Sequence, residues 1–167
     1  MHDELTEIDI QKMKEEMEHR VKVLRPQLLA EVKRTREYGD LSENYEYKAA
    51  KQEKNRNESR IRYLQSMIET AVIVEKTGGE NEVGLFDKIT VYMPEDDEEA
   101  VYQIVTTLRV NALEGIISKE SPLGKALIGK KVGDTVTVKV NDSYSYEVVI
   151  RKIKKGEDTG DIPINRF

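Results

Sequence analysis

The strongest constraint in this sequence is a heptad pattern in its first half. Residues that would share one face of a helix are spaced alternately three and four apart: Tyr47, Ala50, Lys54, Asn57, Ile61, Leu64, Ile68 and Ala71. This spacing is typical of the seam of a coiled coil. The seam is apolar toward its C-terminal end and polar in the middle, at Lys54 and Asn57. The pattern predicts a long helix that packs along this face against a partner helix.

The preceding stretch supplies that partner. Its apolar side chains recur about every 3.6 residues, at Ile10, Met13, Met17, Val21, Leu24, Leu28 and Val32. This spacing indicates an amphipathic helix. Pro26 lacks an N–H and crowds the preceding turn, so it predicts a kink in this helix. The simplest arrangement is an antiparallel α-helical hairpin over residues 1–76. Arms of roughly 28 residues would be on the order of 40 Å long.

A change of period marks a second domain. Thr77–Asn81 contains two glycines and predicts a linker. Beyond it, alternating apolar residues predict short strands, which include Val83–Val91 and a hairpin around Asn141–Ser143. Pro122 after Ser121 predicts the start of a short helix with a serine cap. We therefore predict an α+β protein, with a small antiparallel sheet and one short helix in residues 82–155, and a flexible tail at 156–167.

Composition excludes several classes of protein. The chain has no cysteine, which rules out disulfides and thiolate metal sites. It has no run of about 18 apolar residues, as a membrane span would need. Its start, Met1–Leu5, lacks the regions of a signal peptide, so we expect a cytoplasmic protein that does not contact membranes. The net charge of −5 disfavours a broad nucleic-acid-binding surface.

Two carboxylates, Asp40 and Glu43, lie where the hairpin must turn. They have two interpretations. In the first, Asp40 caps the second helix and Glu43 reaches back as the third residue of a capping box. In the second, both hold a hard divalent ion such as Mg²⁺, which binds few protein carboxylates and needs further ligands from elsewhere. The residues alone leave both interpretations open, although capping boxes are common.

The cations that flank this turn are Arg34, Arg36, Lys48, Lys51, Arg56, Arg60 and Arg62. Most of them are expected to form ion pairs on a solvated helix surface. A subset near the turn could contact a phosphate backbone. The chain has no phosphate-binding glycine loop, nucleophile elbow or metalloprotease helix motif. Nothing in the second half resembles a catalytic nucleophile with its base.

Two long motifs, Arg36–Lys51 and Ile117–Asp134, resemble the Gre transcript-cleavage factor family, GreA and GreB. The resemblance covers roughly residues 8 to 155, and the acidity of the chain is more typical of the GreA branch. It implies a coiled-coil hairpin followed by a domain of FKBP-like fold. It also implies a transcription elongation factor, a monomer when free, whose tip enters the secondary channel of bacterial RNA polymerase. There it would stimulate Mg²⁺-dependent cleavage of backtracked RNA by the polymerase.

The resemblance assigns roles to seven residues. Asp40 and Glu43 would help to hold a Mg²⁺ ion shared with the polymerase, which the isolated protein would not bind stably. Arg36 and Lys51 match a basic patch that faces the 3′ end of the nascent RNA. The residues that match a polymerase-binding loop are Glu120, Ser121 and Pro122.

Two alternative functions remain. One is a non-cleaving regulator that binds the same channel, against which the intact pair of Asp40 and Glu43 argues. The other is a peptidyl-prolyl isomerase, suggested by the FKBP-like fold. It is less favoured because fold does not carry function, and because this half has no Trp to build an aromatic pocket.

Overall fold

The structure is a computed structural model that describes residues 3–39, 44–75 and 78–165. Its contacts form two units: a helical unit, Asp9–Ala71, and a sheet unit that combines Glu4–Ile8 with the chain from Val72 onward. No helix within these described ranges is long and apolar enough to cross a membrane.

The division between the units differs from the one drawn from sequence, which placed residues 1–76 in the hairpin. Strand β1, Glu4–Leu5, pairs in parallel with β2, Val72–Ile73, and Leu5 is fully buried. The sheet unit therefore includes a piece of the N-terminal sequence, and it begins at Val72 rather than beyond the glycine linker. Two-residue strands have no detectable period, so the sequence pattern could not indicate this pairing.

The helical unit is the predicted hairpin. Its first arm consists of α1, Glu7–His19, a π-helical turn, Arg20–Leu24, and α2, Arg25–Arg36. Its second arm is α3, Tyr45–Thr70, a helix of 26 residues. The predicted seam faces inward, because its members are buried or half-buried along the whole of α3.

The disturbance predicted at Pro26 is the π-helical turn just before it. The N–H of Arg25 donates to the carbonyl of Arg20, five residues back instead of four. Pro26 then lies in the first turn of α2, directly after this π-helical turn. The arm thus continues past the proline with a wider turn.

The middle of the hairpin is held by a polar network. Arg60 donates to both carboxylate oxygens of Glu16, at 2.7 and 3.0 Å, and Arg20 Nε donates to the same carboxylate at 2.8 Å. Asn57 accepts from the Arg20 side chain at 2.9 Å and donates to the Arg20 carbonyl at 3.3 Å. Burial raises the pKa of the Glu16 carboxyl, but the hydrogen bonds from Arg60 and Arg20 lower it by more. This network ties the π-helical turn to α3.

The sheet unit contains a five-stranded sheet in the order β5-β4-β3-β7-β6. All neighbouring strands are antiparallel except β4 and β5, which are parallel. The strands are β3, Lys88–Met93; β4, Glu98–Val105; β5, Ile116–Ser118; β6, Thr135–Lys139; and β7, Ser145–Lys154. With the short helix α4, Pro122–Leu127, they confirm the predicted α+β class. The predicted first strand is shorter than expected, because Val83 and Phe86 are buried in a loop and Phe86 has a φ of 67°.

Helix α4 packs closely on the sheet unit. Leu127 is fully buried in the core that Ile89, Val91 and Val138 also line. Gly124 makes this approach possible: a Cβ at that position would lie 2.1 Å from the carbonyl oxygen of Ser118. The close contact fixes α4 against the loop that precedes it.

The segment after Gly156, expected from sequence to be a flexible tail, makes specific contacts. It contains no helix or strand as far as residue 165. Asp158 nevertheless accepts two hydrogen bonds from the fully buried Arg109 side chain, at 2.6 and 2.9 Å, and one from the Thr6 hydroxyl at 3.1 Å. Ile162 packs against the core. A segment without a period can still be packed, which its sequence pattern does not reveal.

Candidate functional site

The candidate site is the turn of the hairpin between the end of α2 at Arg36 and the start of α3 at Tyr45. Gly39 has a φ of 100°, a left-handed conformation that favours glycine, and begins the reversal of the chain. Asp40 and Glu43, the two carboxylates predicted to act here, lie outside the described residues. The described residues on either side define the frame that carries them.

Among the described residues, the Asn44 side chain joins the two ends of this turn. The Asn44 side-chain oxygen accepts from the Tyr47 N–H at 3.0 Å, which caps the N-terminus of α3. The Asn44 amide group donates to the carbonyl of Thr35 in the last turn of α2, at 2.7 Å. Asn44 therefore uses both ends of its amide to connect the two helices.

This geometry corrects one interpretation of the sequence. Asp40 was expected, as one alternative, to cap the second helix in a capping box with Glu43. The helix begins later and its cap is Asn44, so that alternative is wrong for α3. The sequence of the turn contains several residue types that can cap a helix. The cap is Asn44, whose side chain also donates to the Thr35 carbonyl.

Thr35 is the buried anchor of the turn, and sequence reasoning missed it. It is 1% exposed, and its hydroxyl donates to the carbonyl of Glu31 at 2.9 Å. Its own carbonyl accepts from Asn44 and from the Tyr38 N–H, the latter at 3.2 Å. The available signal was its place on the inward face, three residues after Val32 in the seam of the first arm.

The predicted RNA-contacting cations lie on the two arms beside the turn. Arg36 is the last residue of α2 and Lys51 lies in the second turn of α3, and both are exposed. Arg34 is engaged instead with Glu31 at 2.5 Å and with the Tyr38 hydroxyl. The two predicted cations thus remain accessible from solvent.

Arg60 departs from the expectation that the cations of this helix are solvated. Its side chain is 5% exposed and belongs to the polar network with Glu16. The sequence could not indicate this, because the two residues are 44 positions apart. Arg56 conforms better to the expectation, since it forms a surface ion pair with Glu53 at 3.5 Å.

The predicted partner-binding loop lies in the sheet unit just before α4. Ser121 caps α4 as predicted, since its hydroxyl oxygen accepts from the Gly124 N–H at 3.1 Å. The same hydroxyl donates to the Ser118 carbonyl at 2.6 Å, and the Glu120 N–H donates to the Ser118 hydroxyl oxygen at 2.9 Å. Pro122 occupies the first turn of α4. These bonds hold a rigid loop that exposes the Glu120 carboxylate.

A pocket of about 230 Å³ adjoins this loop. Leu85 and Ile128 contribute apolar walls, whereas Lys119, Glu120 and Lys125 contribute charges. Glu120 lies 3.9 Å from Lys125, and both side chains are more than half exposed. The surface combines a small apolar depression with an accessible carboxylate, as suits contact with another protein.

The described residues contain no group of three or more Asp, Glu, His or Cys side chains that could hold a metal ion. The tip sequence offers two carboxylates, Asp40 and Glu43. Carboxylate oxygens suit Mg²⁺, which prefers octahedral oxygen coordination. Two carboxylates fit such an ion only if another molecule supplies further ligands.

Two family models together match most of this chain. Residues 4–73 match the family described as "Transcription elongation factor, N-terminal", and residues 78–155 match "Transcription elongation factor, GreA/GreB, C-term". A solved structure, GreA factor homolog 1 (Gfh1) of Thermus thermophilus, is 28% identical, with 93% of this chain and all of that one covered and a TM-score of 0.42.

Curated relatives are more similar in sequence. Transcription elongation factor GreA of Staphylococcus saprophyticus is 40% identical over 150 residues, which cover 90% of this chain and 95% of that protein. The protein of the same name from Streptococcus pneumoniae is 42% identical over 146 residues, or 87% and 91% of the two chains. Both halves of the chain and their order are shared with these relatives. The chain therefore belongs to the GreA/GreB family of transcription elongation factors.

Proposed function

We propose that this protein inserts the tip of its hairpin into the secondary channel of bacterial RNA polymerase and stimulates cleavage of backtracked RNA. Family membership supports polymerase as the partner. The length of the arm supports insertion, since the 26 residues of α3 extend about 39 Å. The protein would act in the bacterial cytoplasm as a monomer and would have no nuclease activity of its own.

The observation that carries the proposal is the cap of α3. Because Asn44 caps the helix and binds Thr35, the start of α3 does not require Asp40 as its cap. Asp40 and Glu43 lie in the short sequence between α2 and α3, and the start of α3 is stabilised by a residue other than these two. Such a turn fits a role toward another molecule better than a role in folding.

In the proposed complex, Asp40 and Glu43 would hold a Mg²⁺ ion together with groups of the polymerase. The chemistry that such an ion would supply is activation of water and stabilisation of the leaving oxygen of a phosphodiester. Arg36 and Lys51 are exposed on the two arms and would contact phosphates near the RNA 3′ end. The chain thus contributes ligands and charge to a site that the polymerase completes.

The sheet unit would hold the protein on the polymerase. The loop of Glu120, Ser121 and Pro122 is rigid because Ser121 is bonded on both sides and Pro122 fixes its own backbone. The Glu120 side chain is more than half exposed and would offer its carboxylate to a basic partner surface. A firm attachment here would raise the effective concentration of the tip in the channel.

The proposal is tested by RNA shortening in stalled elongation complexes, with and without the protein. Asp40→Asn and Glu43→Gln should bind polymerase normally yet reduce stimulation about tenfold or more, as loss of metal-site partners does. Raising the Mg²⁺ concentration should partly restore the rate by mass action. Binding of the unmodified protein without any cleavage would instead indicate a non-cleaving regulator of the channel.

A further inference from the structure

Tyr45 is the most exposed tyrosine among the described residues, with 79% of its surface accessible. It is the first residue of α3 and follows the Asn44 cap directly. Single exposed apolar side chains are common on protein surfaces, so exposure alone decides nothing. Its place in the sequence, two residues after Glu43 and at the start of α3, is the reason to consider it.

The ring is accompanied by positive charge. The Lys48 ammonium lies 5.5 Å from the centre of the Tyr45 ring, and Lys51 follows three residues later on the helix surface. Proteins bind single-stranded nucleic acid by stacking its bases on exposed aromatic rings and by contacting its phosphates with nearby cations. The first two turns of α3 present this combination.

Tyr38, on the other arm, is less available. Its hydroxyl accepts a hydrogen bond from Arg34, whereas both rings have a cation about 5.5 Å from their centres. Its exposed fraction is 58%, compared with 79% for Tyr45. Of the two tyrosines beside the turn, Tyr45 is therefore the better stacking surface.

We propose that Tyr45 stacks on a base of the extruded RNA 3′ end, with Lys48 and Lys51 facing the adjacent phosphates. The inference rests on the proposed function, because that function brings the tip to this RNA. Stacking on an aromatic ring tolerates any base, which suits a factor that must act at many stall sites. Tyr45 is thus assigned as an RNA-binding residue in addition to Arg36 and Lys51.

The chain offers a matched control in Tyr63. This residue is also on α3, is 40% exposed and has the Arg60 guanidinium 5.2 Å from its ring centre. It lies 18 residues from Tyr45, about 27 Å along the helix. If the aromatic–cation pairs serve only the helix surface, alanine substitutions at Tyr45 and Tyr63 should behave alike.

Stacking is measured first without cleavage. Asp40→Asn protein is added to a stalled complex whose RNA ends in 2-aminopurine, a base whose fluorescence is quenched when it stacks. Quenching should occur in this background and be lost when Tyr45→Ala is added to it. Tyr45→Phe should retain the quenching, since the ring face is preserved, and Tyr63→Ala should have no effect. Equal quenching by Tyr45→Ala would overturn the proposal, whatever the cleavage assay shows.

Cleavage provides the second measurement. At subsaturating protein, Tyr45→Ala should stimulate RNA shortening about 5- to 150-fold less than the unmodified protein, which corresponds to the loss of one stacked base. On RNA with an abasic 3′-terminal nucleotide, both proteins should be equally weak. A protein that quenches 2-aminopurine but never stimulates cleavage would refute the proposed function and leave the stacking intact.

Discussion

Replacing Asn44 by alanine should loosen the hairpin at its tip without unfolding the arm. The substitution removes the cap of α3, which is worth about 1 kcal/mol. It also removes the 2.7 Å hydrogen bond to the Thr35 carbonyl, worth about 1 kcal/mol more. Together they correspond to about 2 kcal/mol, or roughly a 30-fold increase in local opening.

Amide hydrogen exchange measures this opening. The Lys48 N–H donates to the Asn44 carbonyl at 3.1 Å and closes the first turn of α3, so its exchange reports fraying. In Asn44→Ala, exchange of this amide should be about 30-fold faster, by the two bonds counted above. Exchange of the Leu64 amide, in the apolar base of the arm, should not change.

A second substitution separates the two bonds. Asn44→Asp keeps an acceptor for the Tyr47 N–H and adds a negative charge that the helix N-terminus favours. It cannot donate to the Thr35 carbonyl. We expect nearly normal exchange at Lys48 but weaker stimulation of RNA cleavage, because the two ends of the turn are no longer joined. Unchanged Lys48 exchange in Asn44→Ala would show that Asn44 does not hold the start of α3.

Three further outcomes are expected. Burial raises the pKa of the Asp158 carboxyl, but its hydrogen bonds, from Arg109 first, lower it by more. The ion pair of Asp158 with Arg109 therefore stabilises the sheet unit above about pH 4, and this stabilisation is lost as the pH falls through the lowered pKa. Asp158→Asn should cost about 3 kcal/mol in urea unfolding at neutral pH and weaken the acid dependence. Gly124→Ala should destabilise the same unit by about 1–3 kcal/mol, because its Cβ would lie 2.1 Å from the Ser118 carbonyl oxygen. Gly79→Ala is the control: its Cβ would meet nothing within 4 Å, so it should be neutral in the same assay. Glu120→Lys should weaken polymerase binding in a pull-down while its circular dichroism stays unchanged; equal binding would exclude this loop from the interface.

The periodic parts of the fold could be predicted from the sequence. The seam of α3, the change to a period of two and the Ser121 cap all rest on spacing within a short stretch, and all are present. What the sequence could not show depends on residues far apart. Examples are the pairing of Glu4 with Val72 and the burial of Arg109 against Asp158.

The cap of α3 is an intermediate case. Local rules correctly predicted that a cap-forming residue lies in the turn, but they favoured Asp40 because Asp-x-x-Glu matches a capping box. The structure selects Asn44, whose amide can donate to Thr35 as well as accept from Tyr47. A carboxylate can only accept, so the contact across the turn distinguishes Asn from Asp.

The stabilising interactions of the hairpin change character along its length. Leu64 and Ile61 fill the seam near the base, the Glu16–Arg60 network holds the middle, and the Asn44 amide joins the arms at the turn. Between this network and the turn, Ala50 is again buried in the seam, so apolar and polar contacts both occur along the arms. The turn itself is then secured from its two flanks, by Thr35 and Asn44. A pair of carboxylates between such flanks can vary or act on a partner without weakening the arm, which is what a site completed by another protein requires.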